Sequence, residues 1–195
     1  MSSRREFLLL ADTFKESKGH DPIGMIASEK LDGARVFWDG GVSRGDDTVN
    51  VPWANIYDPK NPTELKAKIK PKATGLWSRY GNPIQAPDWF LDSLPPEPLD
   101  GELYIGRGKF QETMSAIRKD VPVDEEWRKV RFVAFGAPTV GTVFQSGLIK
   151  NPQMVREIDA NECLDYVWRK SSADRIIDEP RTYLEELDVL SDLYS

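Results

Sequence analysis

Residues 28–40 read SEKLDGARVFWDG. Lys30 is followed by Asp32, Gly33 and Arg35, then by the apolar Val36-Phe37-Trp38 and the turn formers Asp39-Gly40-Gly41. Apolar runs bounded by turn residues read as strands, and an Asp-Gly pair between them signals a hairpin turn. Residues 25–41 are therefore predicted to form strand, tight loop at 31–33, strand and turn. Lysines are usually solvated surface charges, so the plain reading of Lys30 is an ordinary position in a hairpin. The chemical reading is an amine held on fixed backbone near cations or a metal, where it deprotonates and attacks phosphorus. In that reading Gly33 lets backbone and ligand approach closely. Asp32 positions the lysine or a metal, and Arg35 points at anionic groups.

Outward from this stretch, residues 6–18 predict a short helix or strand, broken at Gly19–Pro22. Residues 42–75 are rich in Asp, Asn, Pro and Lys and weak in periodicity, which predicts an inserted loop or lobe ending in the basic run KAKIKPK, 66–72. LWSRYGN (76–82) reads as a strand running into a turn, 86–94 as a short helix, and LDGELYIG (99–106) as turn and strand. KFQETMSAIRK (109–119) places Phe110, Met114 and Ile117 on one helical face. VRFVAFGAP (130–138), apolar and bounded by Gly and Pro, predicts a buried central strand. A final helix starting at Pro180 has Tyr183, Leu184, Leu187, Leu190 and Tyr194 at helical spacing. The sum is an α+β fold built on antiparallel strands.

Composition narrows the function. The chain has 195 residues, a net charge of −6 and a pI near 5.0, which argues against wrapping nucleic acid by bulk charge but leaves room for a local basic groove. One cysteine, Cys163, and one histidine, His20, preclude a disulfide framework or a CxxC zinc site. They also make Ser-His-Asp or Cys-His catalysis a poor fit, and Cys163 reads as a packed small residue. The run Phe7-Leu8-Leu9-Leu10 is too short for a membrane span or a signal segment, so a cytoplasmic protein without membrane contact is expected.

Three more clusters carry chemistry. Glu102, beside Leu103 and Ile105 after Asp100-Gly101, suits a divalent metal or a ribose hydroxyl; equally it suits the exposed side of an alternating strand. Arg79, before Tyr80-Gly81-Asn82, suits phosphate or ribose, or a plain surface arginine at a turn. Phe132 or Phe135 offers a flat face to a purine, although phenylalanines in such a run are mostly core.

Taken in order, KLDGAR, WSRYGN, LDGELYIGRG and FVAFGAP resemble the covalent nucleotidyltransferase superfamily, and within it the small ATP-dependent DNA ligases of phages and bacteria. The resemblance covers roughly residues 22–145. It implies an antiparallel-sheet adenylation (nucleotidyltransferase) domain of the ATP-grasp/DNA-ligase type over 1–195, incomplete at its C-terminus and without an OB-fold domain. It implies that Lys30 attacks the α-phosphate of ATP and carries AMP. The AMP then passes to the 5′-phosphate of nicked double-stranded DNA, and the 3′-hydroxyl seals the nick, as in DNA replication, repair and recombination. Arg35 and Arg79 are implied to contact ribose or phosphate, Glu102 the ribose or Mg²⁺, Phe135 the adenine ring and Glu29 the adenine edge. The chain departs from the pattern where Phe-Asp is replaced by Phe135-Gly136, in the length of 42–75, and in lacking a Glu-Gly element and a Lys-x-Lys strand after Phe135. A split protein completed by a second polypeptide, an inactive relic that binds nucleotide, and an RNA ligase or capping guanylyltransferase are the alternatives. Missing strands also imply an open sheet edge, covered by self-association or by the 42–75 segment and the C-terminal helix.

Overall fold

The computed structural model describes residues 14–19, 21–24, 26–143, 148–149, 157–170 and 181–195. Expectations resting on residues 6–13, His20, Met25 and Pro180 lie outside the described residues. In chain order come β1 (Ala34–Asp39), the paired β2 (Tyr57–Asp58) and β3 (Asn61–Leu65), β4 (Leu76–Ser78), α1 (Asp88–Leu91) and β5 (Pro98–Tyr104). They are followed by α2 (Phe110–Ile117), α3 (Asp124–Trp127), β6 (Arg131–Gly136) and α4 (Val140–Val143). The paired β7 (Leu148–Ile149) and β8 (Ile158–Asp159) then lead to α5 (Ala160–Lys170) and α6 (Tyr183–Tyr194).

Four strands form one antiparallel sheet in the order β4-β1-β5-β6. Side chains alternate between its faces, as the pleat requires. Val36, Trp38, Leu99 and Leu103 face a core completed by Phe90, Leu91, Ala116, Ile117 and Trp127. Phe37 and Trp77, which pair across β1 and β4, face a second core. That core is filled from residues 42–75, by Val51, Trp53, Ala54 and Ile56, and from α5, by Cys163, Tyr166 and Val167. Trp53 packs edge-on against Trp77 at 5.9 Å and against Tyr166 at 5.3 Å. Burial pushes the Cys163 thiol up, consistent with a packed residue rather than a reactive one.

Several expectations are corrected. Among the described residues no strand precedes Lys30: residues 26–31 have no regular structure and 26–30 are exposed, because β1 takes its partners, β4 and β5, from later in the sequence. Residues 131–136 form the outermost strand rather than a central one; their apolar character serves the two faces, not two neighbouring strands. In α2 the inward residues are Thr113, Ala116 and Ile117, with Met114 half-buried and Phe110 exposed. In α6, Tyr183, Leu184 and Tyr194 stay exposed, while Glu186 is buried and Val189, Leu190 and Leu193 meet the first core. The start of α6 is set by a capping box, in which the Thr182 side chain accepts from the Glu185 N–H and the Glu185 carboxylate accepts from the Thr182 N–H. Among the described residues, no helix is long and apolar enough to cross a membrane.

Candidate active site

The sheet face that bears Phe37 and Trp77 is divided along its strands. Toward Asp39 it is roofed by residues 42–75 and α5. Toward Ala34 it carries polar groups, because Arg35 lies two residues before Phe37 on the same face and pairs with Glu102. The burial of β1 follows this division, with Ala34 and Arg35 half-buried and Val36 to Asp39 buried.

At the polar end the Arg35 guanidinium grips Asp100 with two charged hydrogen bonds, Nε to Oδ1 at 2.6 Å and Nη2 to Oδ2 at 2.5 Å. Such a fork fixes the plane of the guanidinium. Arg35 also lies over the Phe135 ring, 4.4 Å from its centroid. Burial pushes the Asp100 carboxyl up despite the opposing pull of Arg35. The Asp100-Gly101 pair, expected as a turn, sits inside β5 beside a register shift against β6, with the carboxylate holding Arg35 as well as the Gly101 backbone.

Lys30 precedes this end of β1 and is exposed. Its loop is tied on both sides to the 102–107 stretch. Upstream, Glu29 is ion-paired with Arg107 at 2.7 Å. Downstream, the Gly33 N–H donates to Glu102 Oε1 at 2.5 Å. Gly33 admits no side chain, since a Cβ there would run into the Leu103 carbonyl oxygen and come within 2.9 Å of the Glu102 carboxylate. Asp32 is exposed.

Arg79 leaves the end of β4 next to the start of β1, since Ser78 pairs with Val36. Its guanidinium donates to the Tyr80 hydroxyl and lies 4.5 Å from the centre of that ring. The turn that follows is braced by the 42–75 segment, through the Asn55 N–H to the Gly81 carbonyl at 2.8 Å and Lys66 Nζ to Asn82 Oδ1 at 3.3 Å. The basic run 66–72 thus works largely as struts. Lys66 also donates to the Asn55 carbonyl, Lys70 to the Lys119 carbonyl, and Lys72 pairs with Asp47.

The structure therefore brings Lys30, Arg35, Glu102 and, through the register, Arg79 to one end of the sheet, with Phe135 beside Arg35. Sequence reasoning missed three contributors: Asp100, Arg107 and Glu186. Glu186 from α6 lies against Gly136, and burial, with Asp100 second, pushes its carboxyl up to about 7. Among the described residues, no group of three or more His, Cys, Asp or Glu is arranged to hold a metal ion.

No protein-family model matches the chain. A curated relative, the DNA ligase of Haemophilus influenzae, is 28% identical over 140 residues, which is 71% of this chain and 38% of that protein. The chain thus spans less than half the length of the relative it matches. A solved structure titled "DNA binding with a minimal scaffold: Structure-function analysis of Lig E DNA ligases" shows 32% identity and a TM-score of 0.38, over 59% of this chain and 32% of that one. The sequence relationship supports a DNA ligase-type domain over the matched region.

Proposed function

We propose that this chain carries the adenylation step of an ATP-dependent DNA ligase, with Lys30 as nucleophile. The deprotonated Nζ of Lys30 forms a bond to the α-phosphorus of ATP, the bond from that phosphorus to the bridging oxygen breaks, and pyrophosphate leaves. AMP is then handed to the 5′-phosphate of nicked DNA, and the 3′-hydroxyl displaces it. In this reading the protein works in the cytoplasm of a bacterium or a phage-infected cell. The observation that carries the reading is the double tether of the Lys30 loop, Glu29 to Arg107 and Gly33 to Glu102, at the sheet end that also holds Arg35. Phosphoryl transfer depends mostly on positioning and charge neutralisation, and the Gly33–Glu102 hydrogen bond, with the exposed Glu29–Arg107 pair, ties the lysine loop to β5.

The same reading assigns the other roles. Arg35, its guanidinium oriented by Asp100, and Arg79 contact phosphate or ribose. Phe135 offers its ring to adenine and Glu29 meets the adenine edge, while Asp32 positions the lysine or the metal. Mg²⁺ commonly takes one or two protein carboxylates and completes its shell with phosphate and water. Asp100 is engaged by Arg35, and Glu102, whose Oε1 accepts from the Gly33 N–H, is the carboxylate this reading assigns to the ion or the ribose. When bound, the ion neutralises charge on the phosphates.

Incubating the chain with α-labelled ATP and Mg²⁺, alone and with any downstream-encoded fragment, tests the reading. Covalent label and a mass gain of one AMP are expected, both lost in Lys30→Ala. Label should be greater with ATP than with GTP, and should transfer to nicked DNA in preference to nicked RNA. Absence of label in every condition, or label that survives Lys30→Ala, would overturn the proposal.

A further inference from the structure

Gly136 ends β6, and the space its side chain would take is filled by another residue. A Cβ built on Gly136 would lie 2.5 Å from Glu186 Oε2 and 3.6 Å from Asp100 Cβ. Glu186 is 8% exposed, although Tyr183, Leu184 and Tyr194 of the same helix are 46%, 65% and 64% exposed. Glu186 stands three, four and seven residues before Val189, Leu190 and Leu193, which pack on the first core, so it shares the inward face of α6, where burying a carboxyl costs free energy unless the group is held by partners. Glu186 has them. The Ala137 backbone N–H and the positive charge of Arg181 favour its charged form, against the larger opposing effects of burial and of Asp100. The approach to α6 is clipped beside it. The Arg181 guanidinium donates to the Ala137 carbonyl at 2.9 Å, and the Arg181 N–H donates to Thr142 Oγ1 at 2.9 Å. The same space at Gly136 is bordered by Asp100, which holds Arg35, and Arg35 lies over Phe135.

We propose that Glu186 is a positioning residue of the nucleotide site: seated in the notch left by Gly136, it couples the docking of α6 to the Arg35–Asp100 pair and so to the placement of Arg35 over Phe135. The meaning of the coupling for nucleotide rests on the function proposed above, but its physical part does not. Asp100 binds Arg35 and shares the surroundings of Gly136 with Glu186, whose carboxyl its charge acts on. Withdrawing Glu186 changes the packing and the charge around Asp100, and the guanidinium plane that Asp100 fixes responds. Because the notch is as deep as a glycine and no deeper, the coupling is set by the pair of residue sizes at 136 and 186.

The test exploits that pair of sizes in the full chain. Gly136→Ala puts a methyl against the tip of a flexible side chain, so the sheet is expected to survive while Glu186 is pushed out. Hydrogen exchange should show α6 amides losing protection and β1 and β5 amides retaining theirs. ATP affinity, measured by calorimetry with Mg²⁺, should fall on the order of tenfold, the usual size of coupling between sites. Glu186→Asp shortens the carboxyl by one methylene, and in the Gly136→Ala background it should restore both α6 protection and ATP affinity. Glu186→Gln, which keeps the shape, should retain α6 docking. An unchanged α6 in Gly136→Ala, or failure of the shortened acid to rescue, would overturn the proposal. Loss of α6 protection with unaltered ATP affinity would overturn its link to the nucleotide site. If the wild type binds no ATP, the functional reading falls, and the exchange arms still decide the coupling: Asp100→Asn must then alter α6 protection or the inference fails as well.

Discussion

Asp39 closes β1 with a carboxyl only 3% exposed. The Ser43 hydroxyl donates to Oδ2 at 2.5 Å and the Trp77 indole N–H at 2.9 Å, while Oδ1 is buried and, among the described residues, has no hydrogen-bond partner. Burial outweighs these donors and pushes the carboxyl up from 3.8 to about 6. At about 1.4 kcal/mol per unit, a rise of roughly two units corresponds to ~3 kcal/mol. The sign follows from where each state ionises. Well below the ordinary carboxylate range both folded and unfolded chains keep the proton and nothing is lost. Between that range and about pH 6 the unfolded chain ionises first, and above it the folded chain carries a buried charge, so Asp39 removes stability as pH rises. Asp39→Asn keeps the shape but cannot ionise. Its amide nitrogen, at whichever oxygen position it takes, adds a cost of about 1–3 kcal/mol if unpaired, but that cost does not vary with pH. The quantity to measure is therefore the difference in unfolding free energy between wild type and variant, from urea titrations followed by tryptophan fluorescence at several pH values. That difference should move against the wild type by ~3 kcal/mol across the window from the ordinary carboxylate range to just above pH 6, with a steepest slope of about 1.4 kcal/mol per pH unit. Parallel stability curves for the two proteins would refute the reasoning.

Two further outcomes are expected. Gly33→Ala forces a methyl against the Leu103 carbonyl and should cost about 1–3 kcal/mol in urea unfolding, the range for overpacking, while slowing covalent labelling at Lys30 more than it lowers ATP affinity. Trp53→Ala empties a site that is 0% exposed, between Trp77 and Tyr166, and should cost roughly 3–5 kcal/mol; a loss below about 1 kcal/mol would mean that residues 42–75 fold apart from the sheet.

The parts of the fold visible in the sequence were those fixed by local pattern. Val36-Phe37-Trp38 reads as a strand because its apolar residues serve both faces, and 131–136 reads as a strand for the same reason. Local pattern carries no information on neighbours, which is why β6 was expected at the centre and is found at the margin. The 42–75 segment looked like a loop because its buried residues are few and irregularly spaced. Val51, Trp53, Ala54 and Ile56 nevertheless reach the core through turns, a placement that no periodicity reports. At the site, Lys30, Arg35, Glu102 and Phe135 were legible as residue types in an ordered set of motifs. Asp100 was not, because an Asp-Gly pair signals a turn unless the partner arginine is known to sit on the adjacent strand. Arg107 was not, because its partner Glu29 is 78 positions away in sequence. Glu186 was least legible of all. Tyr183 and Leu184 read as inward because they are apolar, whereas the inward stripe is Glu186, Val189, Leu190 and Leu193, and the notch at Gly136 gives the carboxyl its room.

The position of the site follows from where the cover on the sheet stops. Phe37, Trp77 and Asp39 lie under residues 42–75 and α5, so any charge on that half of the face is buried, as Asp39 shows. Two residues earlier on the same strand the cover is gone, and β1 turns from Phe37 to Arg35. Extending the cover by one pleat would bury Arg35 with Glu102 and put the Gly33–Glu102 tether out of reach of any phosphate. Retracting it by one pleat would expose Phe37 and Trp77, both now almost wholly buried, and surrender about 1.5–3 kcal/mol for each large side chain. The segment that reads as a loose insertion therefore sets the boundary between core and site, and its anchoring to the Arg79 turn through Asn55 and Lys66 keeps that boundary at the level of Arg35.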